Sequence, residues 1–243
     1  MQDILNKLNK EQKEAVIHVE GPAIILAGAG SGKTRVLVHK VLYLIVEKGI
    51  NPGNILMVTF SNKAAGEMKE RIKALLHSFP LDTSAEPTVA TFHSLCARIL
   101  RRNGIKIGIP HNFVIYDTTD QLDTIKDCYE KLELSIKDIR PRAALEAISS
   151  AKNQMITEDQ YVKFARGYIQ ERVAKIYPLY QNLLAERNAL DFDDLLNKTI
   201  DLLRKSPETL EFYQNLFQYV LVDEYQDTNV SQYRLTKYLA GKH

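Results

Sequence analysis

The chain has 243 residues, of which 45% are hydrophobic, enough to bury the core of one large or two small domains. A formal net charge of +2 excludes a protein that coats a polyanion with its whole surface, so a nucleic-acid site has to be local. No apolar run has the length of a membrane span, residues 1–20 are polar rather than leader-like, and Cys96 and Cys128 lie far apart without metal-type spacing, which together suit a cytoplasmic protein with buried thiols and no membrane partner.

The first pattern in chain order is Leu8-Asn9-Lys10-Glu11-Gln12. Asn9 and Gln12 have the spacing of a capping box at a helix start. A carboxamide also matches the hydrogen-bonding edge of adenine, and the residues alone leave both roles open for Gln12. Ile24 to Ala27 then read as a short buried strand feeding a glycine-rich turn, Gly28-Ala29-Gly30-Ser31-Gly32, with Lys33 and Thr34 opening a helix. This is the phosphate-loop spacing G-x-x-x-x-G-K-[ST] with Ala27 at the first position. Such a turn aims backbone N–H groups at one point beside a helix N-terminus. Lys33 would reach β- and γ-phosphates, and Thr34 would ligate Mg²⁺.

Residues 35–48 carry a wide apolar stripe, and Gly49 with Asn51-Pro52-Gly53 ends that helix. Ile55 to Thr59 and Val89 to Thr91 are apolar strands, each followed by a helix, over 63–76 and up to Arg102. Strand–helix alternation predicts a parallel sheet with right-handed crossovers. From Lys106 to Asn188 the pattern turns helical, over 119–132, 140–153, 158–164 and onward to Arg187, with one strand-like piece at Phe113 to Tyr116. Asp191, Asp193 and Asp194 follow. They would suit a metal, but Asp191 as a helix N-cap with acids in the first turn is the preferred reading. The apolar run Tyr219 to Val222 ends in Asp223-Glu224, a Walker B pattern. There Asp223 would hold Mg²⁺, and Glu224 would orient and deprotonate an attacking water.

Taken together these motifs resemble the superfamily 1 DNA helicases of the UvrD/Rep type. Leu8-Asn9-x-x-Gln12 is similar to their Q motif, Ala27 to Arg35 to motif I, Thr59-Phe60-Ser61-Asn62-Lys63-Ala64-Ala65-Gly66-Glu67-Met68 to motif Ia, Thr91-Phe92-His93-Ser94 to motif Ib, and Asp223-Glu224-Tyr225-Gln226-Asp227-Thr228-Asn229 to motif II. The resemblance implies an α/β fold: a RecA-like P-loop NTPase sheet flanked by helices, built from residues 1–108 and 189–243, with a mainly helical insert over 109–188. It implies an ATP-dependent 3′-to-5′ helicase or translocase acting on single-stranded DNA and single-strand/duplex junctions. Gln12 would read adenine, and Arg35 would lie against the base. Ala29, Gly30, Ser31, Gly32, Lys33 and Thr34 would bind phosphates and Mg²⁺, and Gln226 would lie near the γ-phosphate.

Phe60, Asn62, Thr91 and His93 would face single-stranded DNA; without the resemblance, Phe60 and Phe92 read as core aromatics and His93 as a cap or core residue. The family pattern continues past motif II into a second RecA-like domain with arginine fingers. Residues 1–243 alone are therefore expected to bind nucleotide and hydrolyse it poorly. A P-loop kinase would not need Glu224 or motifs Ia and Ib; a binding module without turnover is the other rival.

Overall fold

The structure, a computed structural model, describes residues 2–28, 30–79 and 84–241. In chain order the elements are α1 (Gln2–Leu5), α2 (Lys10–Ile17), α3 (Lys33–Val46), β1 (Ile55–Thr59), α4 (Asn62–Leu76), β2 (Thr88–Thr91), α5 (Phe92–Asn103), β3 (Val114–Ile115), α6 (Thr118–Lys131), α7 (Pro141–Asn153), α8 (Glu158–Phe164), α9 (Tyr168–Glu186), β4 (Ala189–Leu190), α10 (Phe192–Lys205), α11 (Pro207–Leu216), β5 (Tyr219–Val222) and α12 (Val230–Leu239).

The chain divides into two compact units. The first comprises residues 1–94, 210–227 and 236–243. Its sheet has the strand order β2-β1-β5, and all pairings are parallel. The central strand β1 is buried along its whole length, as a parallel strand covered on both faces must be. Val36, Val41, Leu42, Leu44 and Ile45 of α3 pack with Met68 and Ile72 of α4 and with Ile55 and Met57 in one core. This is the expected RecA-like arrangement of a parallel sheet flanked by helices.

One expectation fails here. Residues 22–28 form no strand, and Ile24 and Leu26 are 72% and 92% exposed. An apolar run predicts burial but does not supply a ladder partner. β5 has β1 on one side and, among the described residues, no strand on the other. The carbonyls at the end of this segment are taken instead by side chains: Lys33 donates to Ala27 and Gly28, and Ser31 donates to Gly28.

The second unit, residues 95–209 and 228–235, is mainly helical. Ile125, Ile148, Val173, Ile176 and Tyr180 from α6, α7 and α9 share its core. Val114 and Ile115 pair in parallel with Ala189 and Leu190, so the strand-like piece near residue 113 has a partner that the sequence did not announce. Asp191 is the N-cap of α10, accepting from the backbone N–H of Asp194 at 2.8 Å. Its carboxylate also meets Lys152 Nζ at 2.6 Å, and Asp194 meets the same ammonium at 2.9 Å. Asp191 and Asp194 thus belong to a cap and a buried ion cluster, while Asp193, half-buried in the first turn, accepts from Asn153 Nδ2 at 3.3 Å. Among the described residues no group of three His, Cys, Asp or Glu side chains would hold a metal, and no helix is long and apolar enough to cross a membrane.

Candidate nucleotide and single-strand sites

The sheet topology sets the place. Parallel strands carry their C-terminal ends to one edge, and ligands of open α/β sheets bind outside that edge. In register, Thr59 of β1 faces Thr91 of β2, and Val58 faces Val222 of β5. Asp223, whose N–H donates to Val58 O at 2.9 Å, Phe60 and Phe92 therefore leave the sheet on the same edge.

The phosphate loop meets this edge. Gly30 and Gly32 have φ of +76° and +88°, a left-handed conformation that side chains disfavour. Gly32 has a second constraint, since a Cβ there would come within 2.9 Å of Gln12 Nε2. Lys33, the first residue of α3, reaches Glu224 Oε2 at 3.9 Å. Gln226 Nε2 donates to the same carboxylate oxygen at 2.5 Å. Glu224 has φ +49°, uncommon for a residue with a side chain and a form of strain that collects at functional sites. Asp223 is buried, and burial, then the neighbouring Glu224 carboxylate, push its pKa up. A cation there would relieve both effects. Thr34 is half-buried beside Lys33, and Arg35 is exposed. The hydroxyl of Thr34 and the carboxylate of Asp223 are hard oxygen donors of the kind Mg²⁺ takes. Ala29 lies outside the described residues.

Gln12 fills its cap role, and its amide is free to do more. Asn9 Oδ1 accepts from the Gln12 N–H at 2.8 Å, and Gln12 Oε1 accepts from the Asn9 N–H at 3.1 Å. The remaining Gln12 Nε2 donates to the carbonyl of Ser31 at 2.8 Å, so the capping box places this side chain on the phosphate loop.

The predicted single-strand residues lie on the same unit. Phe60 is 37% exposed and stands edge-on to the buried Phe92, with ring centroids 5.7 Å apart. Asn62 is exposed at the start of α4, where Ser61 Oγ caps the N–H of Ala64. Thr91 is buried, and its hydroxyl exchanges hydrogen bonds with Ser94 at the start of α5. Burial lowers the pKa of His93, which favours the neutral imidazole, a form that can still donate a ring N–H to a phosphate. Sequence reasoning missed the ion cluster of Lys152, for which a lysine in a helix that also carries Arg142 and Glu146 gives no signal. It also missed the backbone of Glu224, for which residue type gives no signal.

Comparison with known proteins identifies the family. The UvrD/REP helicase N-terminal domain family matches residues 8–243. Over 242 residues, all of this chain, it is 50% identical to the ATP-dependent DNA helicase PcrA of Staphylococcus aureus and 49% identical to that of Staphylococcus epidermidis. In both cases the aligned region is 33% of the relative, so the chain spans about a third of the length of the curated relatives it matches.

Proposed function

Because the chain belongs to the UvrD/REP helicase N-terminal domain family, we propose that it is the ATP- and single-strand-binding part of an ATP-dependent 3′-to-5′ DNA helicase. The observation that carries this reading is the convergence of Lys33, Glu224 and Gln226 beside Asp223 at the C-terminal edge of the sheet. A phosphate loop with an ordered acid–amide pair suits hydrolysis of a phosphoanhydride, whereas a kinase would present its acceptor there. Residues 30–34 would hold the phosphates, Thr34 and Asp223 would hold Mg²⁺, and Gln12 and Arg35 would take the adenine. Bound Mg²⁺ would supply charge neutralisation between β- and γ-phosphates. Glu224 would aim a water and accept its proton, with Gln226 holding the carboxylate in place.

In the proposed organisation, residues 1–108 and 189–243 make the first motor domain and residues 109–188 its accessory insert. The parallel pairing of β3 with β4 brings the two ends of the insert together, although the compact units group residues 95–108, 189–209 and 228–235 with the helical part. Phe60, Asn62 and His93 are the proposed DNA contacts. Phe60 would stack a base, and the other two would bond phosphates. Thr91, buried and engaged with Ser94, would act by fixing the start of α5. The polarity of movement and the use of strand junctions rest on the family resemblance.

The test has two arms: titration with a fluorescent ATP analogue in Mg²⁺, and anisotropy of labelled oligo-dT at low salt. Saturable binding in both is expected, and binding in neither would overturn the proposal.

A further inference from the structure

Lys40 lies on α3 and is 8% exposed, beside the equally buried His39 in a stripe of otherwise hydrophobic residues. Its ammonium donates to the carbonyl of Ala15 at 3.0 Å and to the carbonyl of His18. Both belong to the C-terminal end of α2, where the last carbonyls lack intrahelical partners and the helix dipole is negative. Among the described residues none of the ion pairs includes Lys40. A cation buried against carbonyls alone loses hydration that methionine or leucine would never have had, and burial lowers its pKa. Its gain over an apolar residue is directional: it holds one end of one short helix.

The same helix carries Gln12 at its other end. Val16, on the final turn, is fully buried in the core with Val36 and Val41. His39, next to Lys40, bonds through Nδ1 to the carbonyl of Ile4 at 2.7 Å, so α3 grips α1 as well. With α2 fixed, Gln12 Nε2 reaches Ser31 O, and a Cβ on Gly32 would stand 2.9 Å from that amide nitrogen. A tilt of α2 by a fraction of an ångström would move that amide relative to the phosphate loop.

We propose that Lys40 is a positioning residue for nucleotide-base recognition, acting through α2 to set the carboxamide of Gln12. The inference rests on Gln12 being the adenine reader, and the experiment separates the two. Affinities for ATP, GTP and inorganic triphosphate are measured with Mg²⁺ on the 243-residue chain, for the parent, Gln12→Ala, Lys40→Met, Lys40→Arg and the double variant Gln12→Ala/Lys40→Met. Gln12→Ala should lose about tenfold for ATP, the worth of one well-placed carboxamide–adenine pair, with GTP and triphosphate nearly unchanged. Lys40→Met should show the same selective loss. Lys40→Arg, still a two-carbonyl donor, should restore the ATP-to-GTP ratio, and the double variant should be no worse than either single one.

Selective loss in Gln12→Ala with the parent ratio retained in Lys40→Met overturns the positioning role and leaves the adenine reader standing. A parent ratio in Gln12→Ala overturns the reader itself. A uniform loss for all three ligands in Lys40→Met marks a general structural role and also overturns the proposal. Should Lys40→Met not fold, Lys40→Gln, a shorter donor, replaces it: an intermediate ratio supports the proposal and a parent ratio overturns it.

Discussion

At the scale of single residues the candidate site is a set of competing demands on a few side chains. Lys33 Nζ is shared among the carbonyls of Ala27 and Gly28 and the carboxylate of Glu224, partners that a triphosphate would replace. Lys33→Ala should therefore weaken ATP binding strongly and adenosine binding little. Titration of both ligands checks this, and equal ATP affinity in variant and parent would remove the phosphate-loop assignment. Phe60 is divided between packing on Phe92 and an exposed face. If a base stacks on that face, Phe60→Ala should weaken oligo-dT binding by about 1–3 kcal/mol. An unchanged anisotropy curve would return Phe60 to a packing role. Residue types single out these positions as candidates because the chemistry of phosphate and base recognition accepts few alternatives. They did not reveal the left-handed backbone of Glu224, since a glutamate after a strand has no reason of its own to turn that way. For Gln12 the two sequence readings were posed as alternatives. The cap is present, and it leaves Nε2 to the phosphate loop.

At the scale of elements, legibility followed pairing. β1 and β5 stood out because each is an apolar run that ends in a recognisable turn, and both have a neighbour in the sheet. Ile24 to Ala27 looked equally strand-like, but periodicity cannot report whether a ladder partner exists. The start of α10 was legible as a cap and opaque as a cluster, since Lys152 lies 39 residues away from Asp191 in sequence. That cluster has consequences for stability. Lys152 is fully buried between two carboxylates, and breaking such a group by Lys152→Met should cost about 3–5 kcal/mol, read by urea unfolding.

Burial, then the charge of Asp191, push Asp194 from an ordinary 3.8 to about 6. The folded state then holds a proton that the unfolded chain has released. Stability from this group is present below about pH 3.8 and is lost as pH rises through about 6. The difference in unfolding free energy between the parent and Asp194→Asn should therefore fall across that window, because the amide does not titrate. Urea unfolding of both proteins at constant salt across the window checks it, and a pH-independent difference would count against the raised pKa.

At the scale of the whole molecule the question is what the proposed motor domain achieves by itself. The sheet unit gathers the groups proposed to bind a triphosphate and aim a water: the loop at residues 30–34, Asp223, Glu224 and Gln226. Hydrolysis also requires positive charge on the equatorial γ-phosphate oxygens in the transition state, and an arginine finger contributes on the order of 10³-fold or more to the rate. Under the proposed function that charge comes from a second motor domain, which the family resemblance implies. Residues 1–243 should then bind ATP with little turnover, and oligo-dT should not stimulate it. Joined to a second motor domain, the same residues should show DNA-stimulated hydrolysis. In that longer protein Glu224→Gln should keep ATP affinity and lose most of the rate, since an amide cannot take the water's proton. Steady-state phosphate release with and without oligo-dT, for both lengths and the variant, reads all three outcomes. Robust DNA-stimulated turnover by residues 1–243 alone would mean that the needed charge already lies within this chain, and the two-domain account of its catalysis would have to be abandoned.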